Sequence, residues 1–128
     1  MNGTDLVETC ALSPVAQEAR HQLRSILEEK AWPGNVDGIV LAVHEALTNA
    51  DLHGGGATSA TAHVQDSSVL VVEVRDRGPG FDVDGHASHP PDPLAERGRG
   101  LWLITQTATE WELDTRGRET CLRLRFSP

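Results

Sequence analysis

Three groups of residues combine types and spacings that could do chemistry. Glu45, Asn49 and His53 recur four residues apart. On a helix each would step only about 40° from the last, so a carboxylate, an amide and an imidazole would form one polar line. Asp76-Arg77-Gly78-Pro79-Gly80 places a carboxylate, then two glycines, directly after an apolar run. Gly98-Arg99-Gly100-Leu101 leads into a helical pattern. There, glycine permits close approach of a ligand, and the free N–H groups of a helix start suit a phosphate. Each group alone has an ordinary structural reading: a solvated helix face, a strand-ending turn of Asp and Gly, and a loop hinge.

The elements that must position these groups can be read from periodicity. Ser13-Pro14 reads as a helix start, with Ser as cap and Pro in the first turn. Val15, Ala19, Leu23, Ile26 and Leu27 follow at helical spacing, and Trp32-Pro33-Gly34 turns the chain after Lys30. A second helix is predicted from Val36 to His53, with Val36, Ile39, Val40, Val43, Leu47 and Ala50 as its apolar stripe and the glycines 54–56 as its stop. Thr58–Val64 and the β-branched run Val69–Val74 read as an antiparallel hairpin about Asp66-Ser67-Ser68.

Residues 77–99 carry Gly78, Pro79, Gly80, Gly85, Pro90, Pro91, Pro93 and Gly98. A loop this long in a small domain is functional or disordered, and 82–97 are expected to be mobile. A short third helix is predicted from Gly100-Leu101, with Leu101, Ile104 and Ala108 on one side. Trp111–Thr115 and Thr120–Phe126 read as two strands about Arg116-Gly117-Arg118, and Leu6–Leu12 as an edge strand. Strands arriving as hairpins favour an α+β fold, one mostly antiparallel sheet with helices on one face.

Composition narrows the function classes. The chain has 128 residues, the length of a single domain spanning 1–128, and a formal net charge of −8. Such acidity disfavours direct contact with nucleic acid or an anionic membrane. No apolar run approaches the roughly 20 residues of a membrane span. The start MNGTDLVETC lacks the basic and apolar parts of a signal peptide, so a cytoplasmic protein is expected. Cys10 and Cys121 form no CxxC pair and read as two reduced thiols. His86 and His89 make an H-x-x-H without carboxylate or Cys partners at metal-ligand spacing.

Taken together, E-x-x-x-N-x-x-x-H, then D-x-G-x-G after a hairpin, then G-x-G-L before a helix, occur in a fixed order. This order resembles the GHKL superfamily, which joins gyrase-type ATPases, heat-shock chaperones, sensor histidine kinases and mismatch-repair ATPases. Glu45-Ala46-Leu47-Thr48-Asn49-Ala50 resembles its N box, residues 76–80 its G1 box and residues 98–101 its G2 box. The resemblance runs from about Pro14 to Phe126 and implies a two-layer α/β sandwich of the Bergerat type. HEALTNADLHG, VEVRDRGPGFD, ERGRGLWLI and the short segment Phe81–Arg97 between the glycine motifs look most like the free-standing anti-sigma factor serine/threonine kinases. Asp51, just after the N box, departs from the pattern by adding a negative charge on the same helix.

The resemblance implies roles for these residues. ATP and Mg²⁺ would be the cofactors. Asp76 would accept a hydrogen bond from the adenine amino group, Gly78 and Gly80 would admit the base and sugar, and Thr120 would support adenine through water. Asn49 would give Mg²⁺ its amide oxygen, and Glu45 would act as general base. Gly98, Gly100 and Leu101 would hold phosphates with backbone amides, with Arg97 and Arg99 adding positive charge. The implied partners are a sigma factor, held and blocked, and a STAS-type antagonist phosphorylated on Ser or Thr. A homodimer is a further state the resemblance leaves open. The alternative is a partner-switching module that binds nucleotide without catalysis, or binds none.

Overall fold

The computed structural model describes residues 7–54, 56–65, 68–77, 104, 106–116 and 119–127. Its elements run β1 (Val7–Leu12), α1 (Ala16–Glu29), α2 (Val36–Gly54), β2 (Ala57–Gln65), β3 (Val69–Asp76), β4 (Glu110–Arg116) and β5 (Glu119–Phe126). The strands form one sheet in the order β1-β2-β3-β5-β4, antiparallel at every pairing. Both helices lie on one face, giving the α+β two-layer arrangement expected. The N-terminal strand is indeed an edge. Ile104 and Thr107 lie in a helical turn closed by the Ala108 N–H on the Ile104 carbonyl at 2.8 Å. The expected start of that third helix, and the 82–97 loop, lie outside the described residues.

The first helix begins later than its sequence suggests. Val15, not Ser13, stands at the cap position and makes no side-chain cap bond. Pro14 therefore precedes the helix instead of occupying its first turn. Ser13 still organises the approach. Its Oγ accepts the Val15 N–H at 3.1 Å and donates to Glu18 Oε2 at 3.1 Å, tying the preceding turn to the helix. A local Ser turn has displaced a direct cap, as Ser hydroxyls readily do. At the other end Trp32 N–H bonds to the Leu27 carbonyl at 2.9 Å, with Ala31 in the left-handed region that closes many helices.

The core forms where alternate strand residues meet the helices. Leu70, Val72 and Val74 of β3 stand opposite Phe126, Leu124 and Leu122 of β5. They join Leu23 and Leu27 of α1 and Val40, Val43 and Leu47 of α2 in one cluster. Burying each such leucine or valine contributes about 1.5–3 kcal/mol. Among the described residues no helix is long and apolar enough to cross a membrane.

The opposite face of the sheet is polar and cross-linked. Glu73 lies near its centre, bonded to Arg75 at 3.1 Å and 3.6 Å from Arg123. Arg75 reaches on to Glu119 at 3.2 Å, Arg123 also pairs with Glu112, and Arg125 donates to Gln65 at 3.1 Å. The Cys121 thiol donates to Glu73 at 3.5 Å. Burial pushes the Cys121 thiol up, and the Glu73 charge adds to that against the opposing pull of Arg75. Burial alone would raise Glu73 too, but Arg123, the Cys121 thiol and Arg75 outweigh it and hold this carboxyl below the ordinary carboxylate value of 4.5. A depressed folded-state pKa gives stability that is complete above the unfolded value and lost as pH falls through the folded one. Wild type should therefore lose part of its advantage over Glu73→Gln on acidification below pH 4.5. Urea unfolding of both proteins between about pH 3 and 7 measures this. A gap that stays constant or widens toward low pH would refute the assignment.

Candidate functional site

The second helix gives the site its first wall. Asn35 caps it, its Oδ1 accepting the Gly38 N–H at 3.0 Å, the N3 amide that an Asn cap satisfies. The apolar stripe then goes into the core, with Ile39, Val43, Ala46, Leu47 and Ala50 buried. Asp37, Leu41 and Asp51 face solvent. Glu45 and Asn49 fall between these two faces and are half-buried. That position keeps a polar group accessible while holding its helix immobile. The side chain of His53, the third member of the polar line, lies outside the described residues. Asp51 is exposed, clear of the flank that carries Asn49.

What faces this flank is visible at Gly38, two turns before Glu45 and on the same side. A methyl group added there would come 3.3 Å from Thr107 Cγ2 and 2.5 Å from Asn35 Nδ2. Glycine is thus required for the cap and for the approach of the segment that follows the third motif. Asn35 and Gly38 were not singled out from the sequence as positioning residues. An Asn one residue before the apolar stripe was the available signal.

The second wall is the end of the central strand pair. Asp76 is the last residue of β3 and only 6% exposed, and Thr120 of β5 is 1% exposed. Register places them directly opposite each other. Both follow the alternation of Leu70, Val72, Val74 and of Leu122, Leu124, Phe126, so both point to the helix side. Among the described residues these two are the buried polar side chains in an otherwise apolar core. A buried carboxylate is costly unless hydrogen-bonded. Asp76 and Thr120 each have an interaction partner in the fold.

The chain joins the two walls at one end of the molecule. The Gly56 N–H bonds to the carbonyl of Ala50, the residue after Asn49, at 3.0 Å and closes the last turn of α2. Gly56 does this at φ 104°, a left-handed conformation open to glycine. The next residue, Ala57, starts β2 directly opposite Asp76. The carboxyl end of α2 and the carboxyl end of β3 are therefore held together by one tight connection. The structure thus brings the carboxyl end of the helix that carries Glu45 and Asn49 to the end of the strand pair that carries Asp76 and Thr120. Gly78, Gly80, Arg97, Gly98, Arg99, Gly100 and Leu101 lie outside the described residues, as do His86 and His89. Among the described residues no three His, Cys, Asp or Glu gather as a metal site.

Chemically, the arrangement offers a buried acceptor in register with a buried hydroxyl, and a carboxylate and an amide oxygen on the helix whose carboxyl end meets that end of the sheet. The first pair suits recognition of a flat polar heterocycle by its edge. The second suits proton acceptance and a hard cation, which prefers oxygen ligands.

Comparison with known proteins agrees with this fold. Among solved structures, Acinetobacter baumannii histidine kinase AdeS superposes with a TM-score of 0.55 at 13% identity, covering 94% of this chain and 67% of that one. At this identity the likeness is one of fold. No curated protein sequence gives a match. Residues 11–126 match the family described as histidine kinase-like ATPase domain, and since that match takes in every element from the end of β1 to β5, the chain belongs to this family, within the GHKL superfamily.

Proposed function

We propose that this chain is an ATP-binding anti-sigma factor: it holds a sigma factor and phosphorylates a Ser or Thr of a STAS-type antagonist. The observation that carries the nucleotide part is the pairing of Asp76 with Thr120, a buried carboxylate and hydroxyl in register at the helix-facing end of β3 and β5. The family membership supports ATP with Mg²⁺ as the cofactor. The partner-switching part is supported by the sequence phrases around residues 44–54, 72–82 and 96–104 and by the brevity of the segment between the two glycine motifs.

The donor set fits the cofactor. Asp76 has acceptor oxygens for the exocyclic amine of adenine, whereas guanine presents a carbonyl at the equivalent edge position. Thr120 can donate or accept beside it. Asn49 supplies the amide oxygen for Mg²⁺, an ion that keeps few protein ligands and several waters. ATP supplies a transferable phosphoryl group. Glu45, one turn before Asn49 on the same flank, accepts the proton of the attacking Ser or Thr hydroxyl. The rigid, half-buried setting of α2 keeps that carboxylate aimed without a conformational search.

Two measurements test the proposal. Calorimetric titration should give saturable Mg-ATP binding, weak Mg-GTP binding, and a loss of about 10- to 100-fold in ATP affinity for Asp76→Asn. Absence of ATP binding by well-folded protein would leave a nucleotide-free binding module. In phosphotransfer with the cognate antagonist, Glu45→Ala should lower the rate about 10²- to 10⁴-fold while retaining Mg-ATP binding. Equal, negligible transfer by both proteins, with partner binding intact, would favour the non-catalytic module.

A further inference from the structure

Strand β2 breaks its alternation at one point. Ala60, Ala62 and Val64 stand opposite Val74, Val72 and Leu70 and share their helix face. Two residues before Ala60, strict alternation would bring Thr58 to that same face. Thr58 is exposed instead, as is Ser59 beside it. Between the pairs Ala57–Asp76 and Ser59–Arg75, β2 advances two residues and β3 only one. Thr58 is therefore the extra residue of a β-bulge, a device that re-aims side chains and is frequent beside active sites. Here the bulge sets Ala57, not Thr58, opposite Asp76, and Ala57 packs partly buried against the core. A methyl group takes the place that a branched hydroxyl side chain would have had next to the carboxylate.

The bulge is also tied down. The Thr58 hydroxyl donates to the Arg75 carbonyl at 3.2 Å. That carbonyl belongs to the planar peptide unit whose N–H is that of Asp76, so the bond holds the backbone where the Asp76 side chain leaves it. Asp76 is the last residue of β3, and element ends are where order is most easily lost. The bond is an exposed one, so removing the hydroxyl strands no buried polar group and costs the fold little.

We propose that Thr58 is a positioning residue for Asp76, and that the bulge it holds shapes the base-recognising end of the site. The inference rests on the adenine role of Asp76 and extends it. A carboxylate tells an exocyclic amine from a carbonyl only while its oxygen stays at hydrogen-bond distance and angle from that amine. Thr58 restrains this placement through the Arg75–Asp76 peptide unit. The small side chain of Ala57 keeps β2 from crowding the ring edge on the same face.

The test compares Mg-ATP with Mg-ITP, whose base carries a carbonyl where adenine carries its amine. Calorimetric titration of wild type should favour ATP. Thr58→Val removes the hydroxyl and keeps the shape, and it should lower ATP affinity about three- to tenfold while leaving ITP affinity unchanged. Thr58→Ser, which keeps the hydroxyl, should retain the ATP preference. In an Asp76→Asn background Thr58→Val should have no further effect, because it acts through that carboxylate. Urea unfolding establishes that each variant folds, and Thr58→Ala gives the same reading should Thr58→Val not fold. Equal losses for ATP and ITP, an unchanged ratio, a lost preference in Thr58→Ser, or effects that add to those of Asp76→Asn would each overturn the inference. Where wild type binds ATP and Asp76→Asn weakens it, these outcomes count against Thr58 alone. Wild type that binds no ATP overturns the nucleotide reading and this inference with it.

Discussion

The pairing of β3 with β5 is the constraint on which the site depends. Three successive apolar pairs, Leu70 with Phe126, Val72 with Leu124 and Val74 with Leu122, fix the two strands face to face under the helices. A slip of one residue would turn all of these side chains to the polar face, so the burial of the core and the register are the same fact. Continuing that register by one more pair delivers Asp76 opposite Thr120. The polar pair is therefore held in place by the hydrophobic pairs before it, and its desolvation is sustained by the core it borders.

The second helix solves a different problem. In the proposed function it must bury enough apolar surface to stay rigid and yet show Glu45 and Asn49 to a ligand. Its residues divide by angle: the stripe through Val43, Leu47 and Ala50 is buried, the line through Asp37 and Leu41 is exposed, and Glu45 and Asn49 occupy the flank between. Tight control of both ends keeps this flank in place. Asn35 caps the start, and the bond from Gly56 to Ala50 closes the finish and leads straight into β2 beside Asp76. A histidine kinase-like ATPase domain is in this sense a helix and a strand pair locked at one end by a tight turn.

The outer face of the sheet shows how an acidic chain manages its charge. Glu73 would be an expensive partly buried carboxylate by itself, and Arg75, Arg123 and the Cys121 thiol surround it. Arg123, the Cys121 thiol and Arg75 together outweigh the cost of partly burying that charge. Cys121 is correspondingly an inert part of the lattice, its thiol kept protonated by burial.

Much of this protein is set by local sequence. The 3.6-residue stripe of α2, the alternation of β2, β3 and β5, and the glycines after α2 define the elements, because side-chain direction over a few residues follows from helix and strand geometry alone. The line of Glu45 and Asn49 on one helix flank is legible for the same reason. The start of α1 was misread by sequence because Ser13 could serve as a cap or as a turn residue, and only packing at Glu18 and Gln22 chose the turn. The motif residues Asp76 and Thr120 could be named in sequence but not joined, since the whole of residues 77–119 lies between them. Their alignment, their burial and the delivery of α2 to the same end of the sheet belong to the tertiary structure. It is the long-range pairing of apolar strand faces, closed by the Ala50–Gly56 turn, that makes one site of them.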